Sequence, residues 1–216
     1  AIFPKLVFSL KDGVNLRPGD PNYDLKQLAL KCATQRMYPD VLMYDKLVEI
    51  TGSFKVPMGC RSFLQAWTDA QGQEVNDGRM NLGVVTLNLP RIALEKAKDM
   101  DGFWQVLDQR LDLVGQALLY RVQRCKEARP EMAPILYQYG AFGKGLGPDQ
   151  EVDLLFKEGR ATVSLGYIGL YEVATIYYGP NWESNRQAKA FTLAIMARLK
   201  AKADALSQAY GYHLSL

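Results

Sequence analysis

The sequence predicts an α/β fold with largely parallel strand pairing. Short apolar runs closed by turn residues recur along its 216 residues. They alternate with stretches of helical period, and two of those stretches are long enough to lie across the outside of a large sheet. The first strand is expected in Lys5-Leu-Val-Phe-Ser-Leu10, closed by Lys-Asp-Gly and followed by the loop Arg17-Pro-Gly-Asp-Pro21. From Tyr23 to about Arg36, Leu25, Leu28, Ala29 and Cys32 fall at i, i+3, i+4 and i+7, an amphipathic helix with Cys32 on its apolar face. Val41-Leu-Met-Tyr44 reads as a second strand. Between Thr51 and Asp77, Gly52, Pro57, Gly59 and Gly72 are spaced too closely for a long element, so a loop containing a hairpin is expected.

A strand is placed at Gly83 to Leu89, with Pro90 ending it. The longest periodic stretch runs from Gly102 to about Ala128, with Phe103, Val106, Leu107, Leu111, Val114, Leu118 and Val122 on one side. A helix of that length measures roughly 40 Å. Ala133 to Tyr139 reads as a strand, followed by the glycine-rich loop of residues 140–147. Ala161-Thr-Val-Ser-Leu165 is a strand, Asn185 to Tyr210 a second long helix, and Gly211 to Leu216 opens a last strand. No internal repeat, linker or domain boundary is visible, so residues 1–216 read as one segment. The N-terminus lacks an initiator Met, which suggests a piece of something longer.

Composition narrows the function classes. Hydrophobic residues make up 48% and charged residues 23%, which excludes disorder, collagen and coiled coil. The net charge of +3 is spread along the chain, and the densest basic run, Arg198, Lys200 and Lys202, alternates with apolar residues on a helix. A solvated helix face explains it better than nucleic acid does. No apolar run approaches the roughly 18 residues of a membrane span, and Ala-Ile-Phe-Pro-Lys at the start shows neither a basic n-region nor a cleavage site. Three cysteines cannot all pair within one chain, which favours a reducing compartment, the cytoplasm.

Few residues suggest chemistry unaided. The single histidine, His213, and cysteines 28 and 65 residues apart give no zinc spacing and no Ser-His-Asp set. The loop at 140–147 holds Lys144 but lacks the order of a phosphate loop, so a surface turn is the better reading. Cys32 and Cys125 lie in helical stretches, where burial or simple surface placement explains each. Cys60 differs: it sits in an aperiodic stretch flanked by Gly59 and Arg61. A cation favours thiolate and loops carry chemistry, so a functional thiol and a structural cysteine in a tight turn both stay open.

Four motifs go further. Pro57-Met-Gly-Cys-Arg-Ser-Phe-Leu64, Gly78-Arg-Met-Asn-Leu-Gly-Val-Val-Thr-Leu-Asn-Leu-Pro-Arg-Ile-Ala93, Ala133-Pro-Ile-Leu-Tyr-Gln-Tyr-Gly-Ala-Phe-Gly143 and Arg160-Ala-Thr-Val-Ser-Leu-Gly-Tyr-Ile-Gly-Leu-Tyr-Glu172 occur in order. Together they resemble the catalytic portion of the class III anaerobic ribonucleoside-triphosphate reductases, a glycyl radical family, from end to end of the chain. The resemblance implies part of a ten-stranded α/β barrel of two antiparallel halves, with a central finger loop carrying the radical cysteine. It implies that Cys60 becomes a thiyl radical and takes the 3′ hydrogen of the ribose, that Met58 and Ser62 flank it in the substrate cavity, and that Asn81 is the active-site asparagine.

For the parent enzyme the resemblance implies anaerobic deoxyribonucleotide synthesis from ribonucleoside triphosphates, with formate as reductant. It implies a glycyl radical installed by an iron-sulfur, S-adenosylmethionine-dependent activase, zinc in a C-terminal region and nucleotide effectors, ATP among them, in an N-terminal region. A homodimer is implied as well. No cofactor is expected on this segment itself, and no membrane or nucleic acid partner. The family's second active-site cysteine is expected upstream of residue 1 and the glycyl loop downstream of residue 216. The isolated segment is therefore expected to be inactive and to self-associate through strand edges left open. Two alternatives are a nucleotide-binding or assembly module that kept the barrel without the chemistry, and a different glycyl radical enzyme acting on an acyl or diol substrate.

Overall fold

The computed structural model describes residues 6–55, 57, 68, 71–76, 78–97, 99–157 and 160–216. The chain divides into two compact units, Ala1–Phe63 and Leu64–Leu216.

In the first unit, β1 (Val7–Leu10) pairs in parallel with β2 (Asp40–Met43), Phe8 opposite Val41 and Ser9 opposite Leu42. Between them runs α1 (Tyr23–Arg36), with the limits that the apolar period predicts. Its stripe is nevertheless uncovered. Only Ala29 is buried, Leu25 and Leu28 are 47% and 58% exposed, and Cys32 is exposed. Two strands offer too little apolar surface to bury a whole helical stripe. Tyr44, read as strand from the sequence, instead opens α2 (Tyr44–Thr51), where Tyr44 stacks on Phe54 with ring centroids 4.8 Å apart.

The second unit is built on the parallel sheet β3 (Met80–Asn88), β4 (Ala161–Ile168) and β5 (His213–Ser215), with β4 in the centre. Its strands alternate faces. Leu87, Val163, Leu165 and Leu214 point to a core formed with α4 (Met100–Lys126) and α7 (Arg186–Tyr210). From α4 come Phe103, Leu107, Leu111, Val114, Leu118 and Val122, all from the predicted stripe, and from α7 come Phe191, Ile195, Leu199, Ala203 and Leu206. Gly115 lets the two helices close up, since a Cβ there would lie 3.2 Å from Leu206. Asp99 caps α4 by accepting from the Gly102 N–H at 2.8 Å, and Asn185 caps α7 by accepting from those of Gln187 and Ala188.

The strand predicted at Gly83 begins three residues earlier, at Met80, and Pro90 does more than end it. Asn88 accepts from the Arg91 N–H at 3.1 Å, and Pro90, which needs no N–H in a first turn, helps to open α3 (Leu89–Glu95). The strand expected at Ala133 to Tyr139 is not formed. Pro134 starts the single helical turn α5 (Pro134–Tyr137), with Gln138 N–H bonded to the Pro134 carbonyl at 2.8 Å. A further helix, α6 (Leu170–Tyr178), follows β4. The turn between them needs Gly169, whose φ is +80° and whose Cβ would meet Pro90 at 2.1 Å.

An antiparallel bridge joins Thr68 to Glu74 within the segment expected to hold a hairpin. The loop at 140–147 folds back on α5, with Leu146 N–H bonded to the Tyr137 carbonyl at 2.7 Å, and Lys144 is exposed. Leu146 joins a smaller core with Met80, Val152, Leu155, Phe156 and Ala161.

Candidate functional site

The face of the second sheet turned away from α4 and α7 is mostly polar and small, with Val84 and Ile168 its exposed apolar residues. It carries Asn81, Thr86 and Asn88 on β3, Thr162, Ser164 and Gly166 on β4, and His213 and Ser215 on β5. The pairing register brings them together: Asn81 lies opposite Thr162, which lies opposite His213, and Ser164 lies opposite Ser215. A Cβ on Gly166 would come within 2.6 Å of the Thr86 hydroxyl, so this part of the face is already filled to the backbone.

Asn81 stands just before an irregularity in β3, where the register shifts between Asn81 and Val84. The shift turns Gly83, at φ +139°, so that its N–H donates to Asn81 Oδ1 at 2.7 Å. A backbone N–H can only donate, so this bond settles which end of the amide is oxygen. Asn81 Nδ2 then donates to Ser164 Oγ at 2.7 Å, and Ser164 Oγ is 3.0 Å from Ser215 Oγ. The three side chains form one line of hydrogen bonds across β3, β4 and β5. Asn81 keeps one N–H and one oxygen lone pair beyond these bonds, and the residue is exposed.

Beside this line, Arg79 Nη2 donates to the buried Thr162 hydroxyl at 3.3 Å. Burial lowers the Arg79 pKa from its ordinary value, opposed by the charge of Glu74. Burial also holds the His213 imidazole below its ordinary value, with Arg79 and Lys200 adding to the shift and Asp204 opposing it. His213 is half-buried on the strand, next to the apolar Leu214.

A second polar cluster sits at the C-terminal end of α4. Asp153 accepts from Tyr212 at 3.2 Å and pairs with Lys126 at 3.1 Å and Lys157 at 3.4 Å. Burial pushes the Asp153 carboxyl up, but the two lysines outweigh it and keep it below the ordinary carboxylate range. These groups satisfy one another and form a clasp. Among the described residues no group of three or more His, Cys, Asp or Glu is placed to hold a metal ion, and no helix is long and apolar enough to cross a membrane.

Of the residues singled out from sequence, Asn81 lies on the polar face, while Met58, Cys60 and Ser62 lie outside the described residues. Sequence reasoning missed Ser164 and Ser215. The signal was present in the alternation of Ala161-Thr-Val-Ser-Leu165 and His213-Leu-Ser215, where each polar residue falls on the face opposite the apolar ones.

A parallel sheet with helices packed on one face places the second unit among the layered α/β folds. A family model described as anaerobic ribonucleoside-triphosphate reductase matches residues 1–216, and the chain belongs to that family. It is 51% identical over 217 residues to the anaerobic ribonucleoside-triphosphate reductase of Escherichia coli K12, covering 100% of this chain and 30% of that protein. To the enzyme of the same name from Enterobacteria phage T4 it is 53% identical over 178 residues, 80% of this chain and 29% of the phage protein. The anaerobic ribonucleotide reductase of Thermotoga maritima, solved with MES in the active site, superposes with a TM-score of 0.55 at 22% identity, over 99% of this chain and 32% of that one. The fold is therefore part of the larger α/β barrel that the resemblance implied.

Proposed function

We propose that this chain is a catalytic-barrel segment of an enzyme that reduces ribonucleoside triphosphates to deoxyribonucleoside triphosphates in the absence of oxygen. In this reading residues 1–216 serve one barrel domain. Cys60 is the hydrogen abstractor, Met58 and Ser62 line the substrate cavity beside it, and Asn81 holds the ribose. The Cys60 sulfur takes the 3′ hydrogen atom, the 2′ oxygen leaves as water, and formate supplies the two electrons. The whole enzyme brings a glycyl radical, installed by an activase that uses an iron-sulfur centre and S-adenosylmethionine, and zinc outside this segment. It works in the cytoplasm as a homodimer under nucleotide effectors. A Thermotoga maritima relative solved in complex with dATP and CTP is in keeping with a nucleotide substrate and effector.

The observation that supports this reading best is the Asn81 amide. Its orientation is settled by a backbone N–H, and it retains one donor and one acceptor on an open face of the sheet. Neighbouring ribose hydroxyls require that combination, one oxygen accepting and one hydroxyl donating. An amide held in place before substrate arrives costs no reorganisation when the 2′ oxygen departs.

The test uses the full-length enzyme. Cys60→Ser is expected to abolish turnover while the glycyl radical signal in electron paramagnetic resonance remains. Asn81→Ala is expected to lower kcat by roughly a hundredfold, the scale for losing one positioned donor. Turnover retained by Cys60→Ser would refute the assignment.

A further inference from the structure

The line of hydrogen bonds that ends on Asn81 contains a residue with no role in the reading above. We propose that Ser164 is a positioning residue for Asn81, fixing the plane of its amide from the central strand of the sheet. The inference rests on the proposed role of Asn81 and extends it to a residue 83 positions away in sequence.

One hydrogen bond by itself leaves an amide free to turn. With Gly83 N–H alone on Oδ1, the Asn81 amide can pivot about that contact, and its remaining N–H and lone pair sweep through a range of directions. A second bond at the opposite end of the amide, Nδ2 to Ser164 Oγ at 2.7 Å, removes the pivot. Asn81 Nδ2 can only donate, so the Ser164 hydroxyl oxygen must accept. Ser164 suits this task because it sits on β4, with backbone pairing to β3 on one side and β5 on the other. Its neighbours Val163 and Leu165 are 1% and 0% exposed in the core, so the strand has little freedom to shift. Ser215 meets Ser164 from the far side at 3.0 Å and completes the line. A serine that was present on this face only for its small size and polarity would leave the direction of the Asn81 amide unchanged when replaced.

The experiment compares Ser164→Ala, Ser164→Thr and Asn81→Ala in the full-length enzyme, with the glycyl radical content measured for each. We expect Ser164→Ala to lower kcat about tenfold to a hundredfold, the scale on which small displacements of a positioned group act. KM should change less than kcat, since a tilted amide still reaches the ribose but no longer meets the departing 2′ oxygen squarely. Ser164→Thr keeps the hydroxyl and should restore most of kcat. A Ser164→Ala enzyme with normal radical content and unchanged kcat, alongside an impaired Asn81→Ala enzyme, would overturn the role of Ser164 and leave that of Asn81 standing. Full turnover by Asn81→Ala would overturn both. Should Ser164→Ala fail to fold, Ser164→Cys keeps the shape in a slightly larger side chain with a much weaker hydrogen-bonding group. Loss of kcat in Ser164→Cys together with recovery in Ser164→Thr supports positioning, and equal activity of the two refutes it.

Discussion

The two faces of the β3-β4-β5 sheet share a backbone and differ in almost everything else. On one face Leu87, Val163, Leu165 and Leu214 are sealed under two helices of 27 and 25 residues. On the other, Asn81, Ser164 and Ser215 form a line of hydrogen bonds, while Val84 and Ile168 remain 48% and 53% exposed. Parallel sheets are normally covered on both sides. One face therefore carries the stability of the unit and the other is free to carry function. The division falls between adjacent residues, because successive side chains on a strand point opposite ways.

Substitutions one residue apart give the sharpest test of this division. Leu165→Ala is expected to cost about 2–5 kcal/mol, the range for a large-to-small change in a packed core. Ser164→Ala should stay within about 1.5 kcal/mol, the net worth of a hydrogen bond on an accessible face. Urea denaturation of both variants measures the difference, and equal losses would break the comparison. Next in size is the cap of the helix that seals the core: Asn185→Ala removes an acceptor for two backbone N–H groups and should cost about 1 kcal/mol by the same measurement.

The smallest effect concerns pH. Burial lowers the His213 pKa in the folded protein, so the unfolded chain takes up its proton first as the pH falls. The stability associated with a neutral His213 is complete above the ordinary histidine value and is lost as the pH drops below it towards the folded value. Thermal melting followed from about pH 7.5 to about pH 5.5 should show a larger fall in Tm for the wild-type protein than for His213→Gln. Identical profiles would remove His213 from the polar face as a titrating group.

The two compact units differ in the same way as the two faces. The second unit buries eight residues of α4, whereas the first buries only Ala29 of α1. The apolar periods of both helices are plain in the sequence, but a period reports which side of a helix is apolar and says nothing about what covers it. The segment Ala133 to Tyr139 shows a different limit. Its apolar residues suit a strand, yet Pro134 at the start of a turn decides for a helix. Similarly, Asn88 and Pro90 are a capping pair, although their neighbours Val85 and Leu87 belong to a strand.

Local chemistry thus determined the long helices and the three strands of the second sheet, because period and capping act within a few residues of one another, while the resemblance of four motifs pointed to the family. Only the tertiary structure decided what Asn81 touches. Its partner Ser164 lies 83 residues away, and Ser215 a further 51. The register of parallel strands is set by long crossovers and by a packed core, and a shift of one residue would have turned Ser164 into the apolar core and left Leu165 on the polar face.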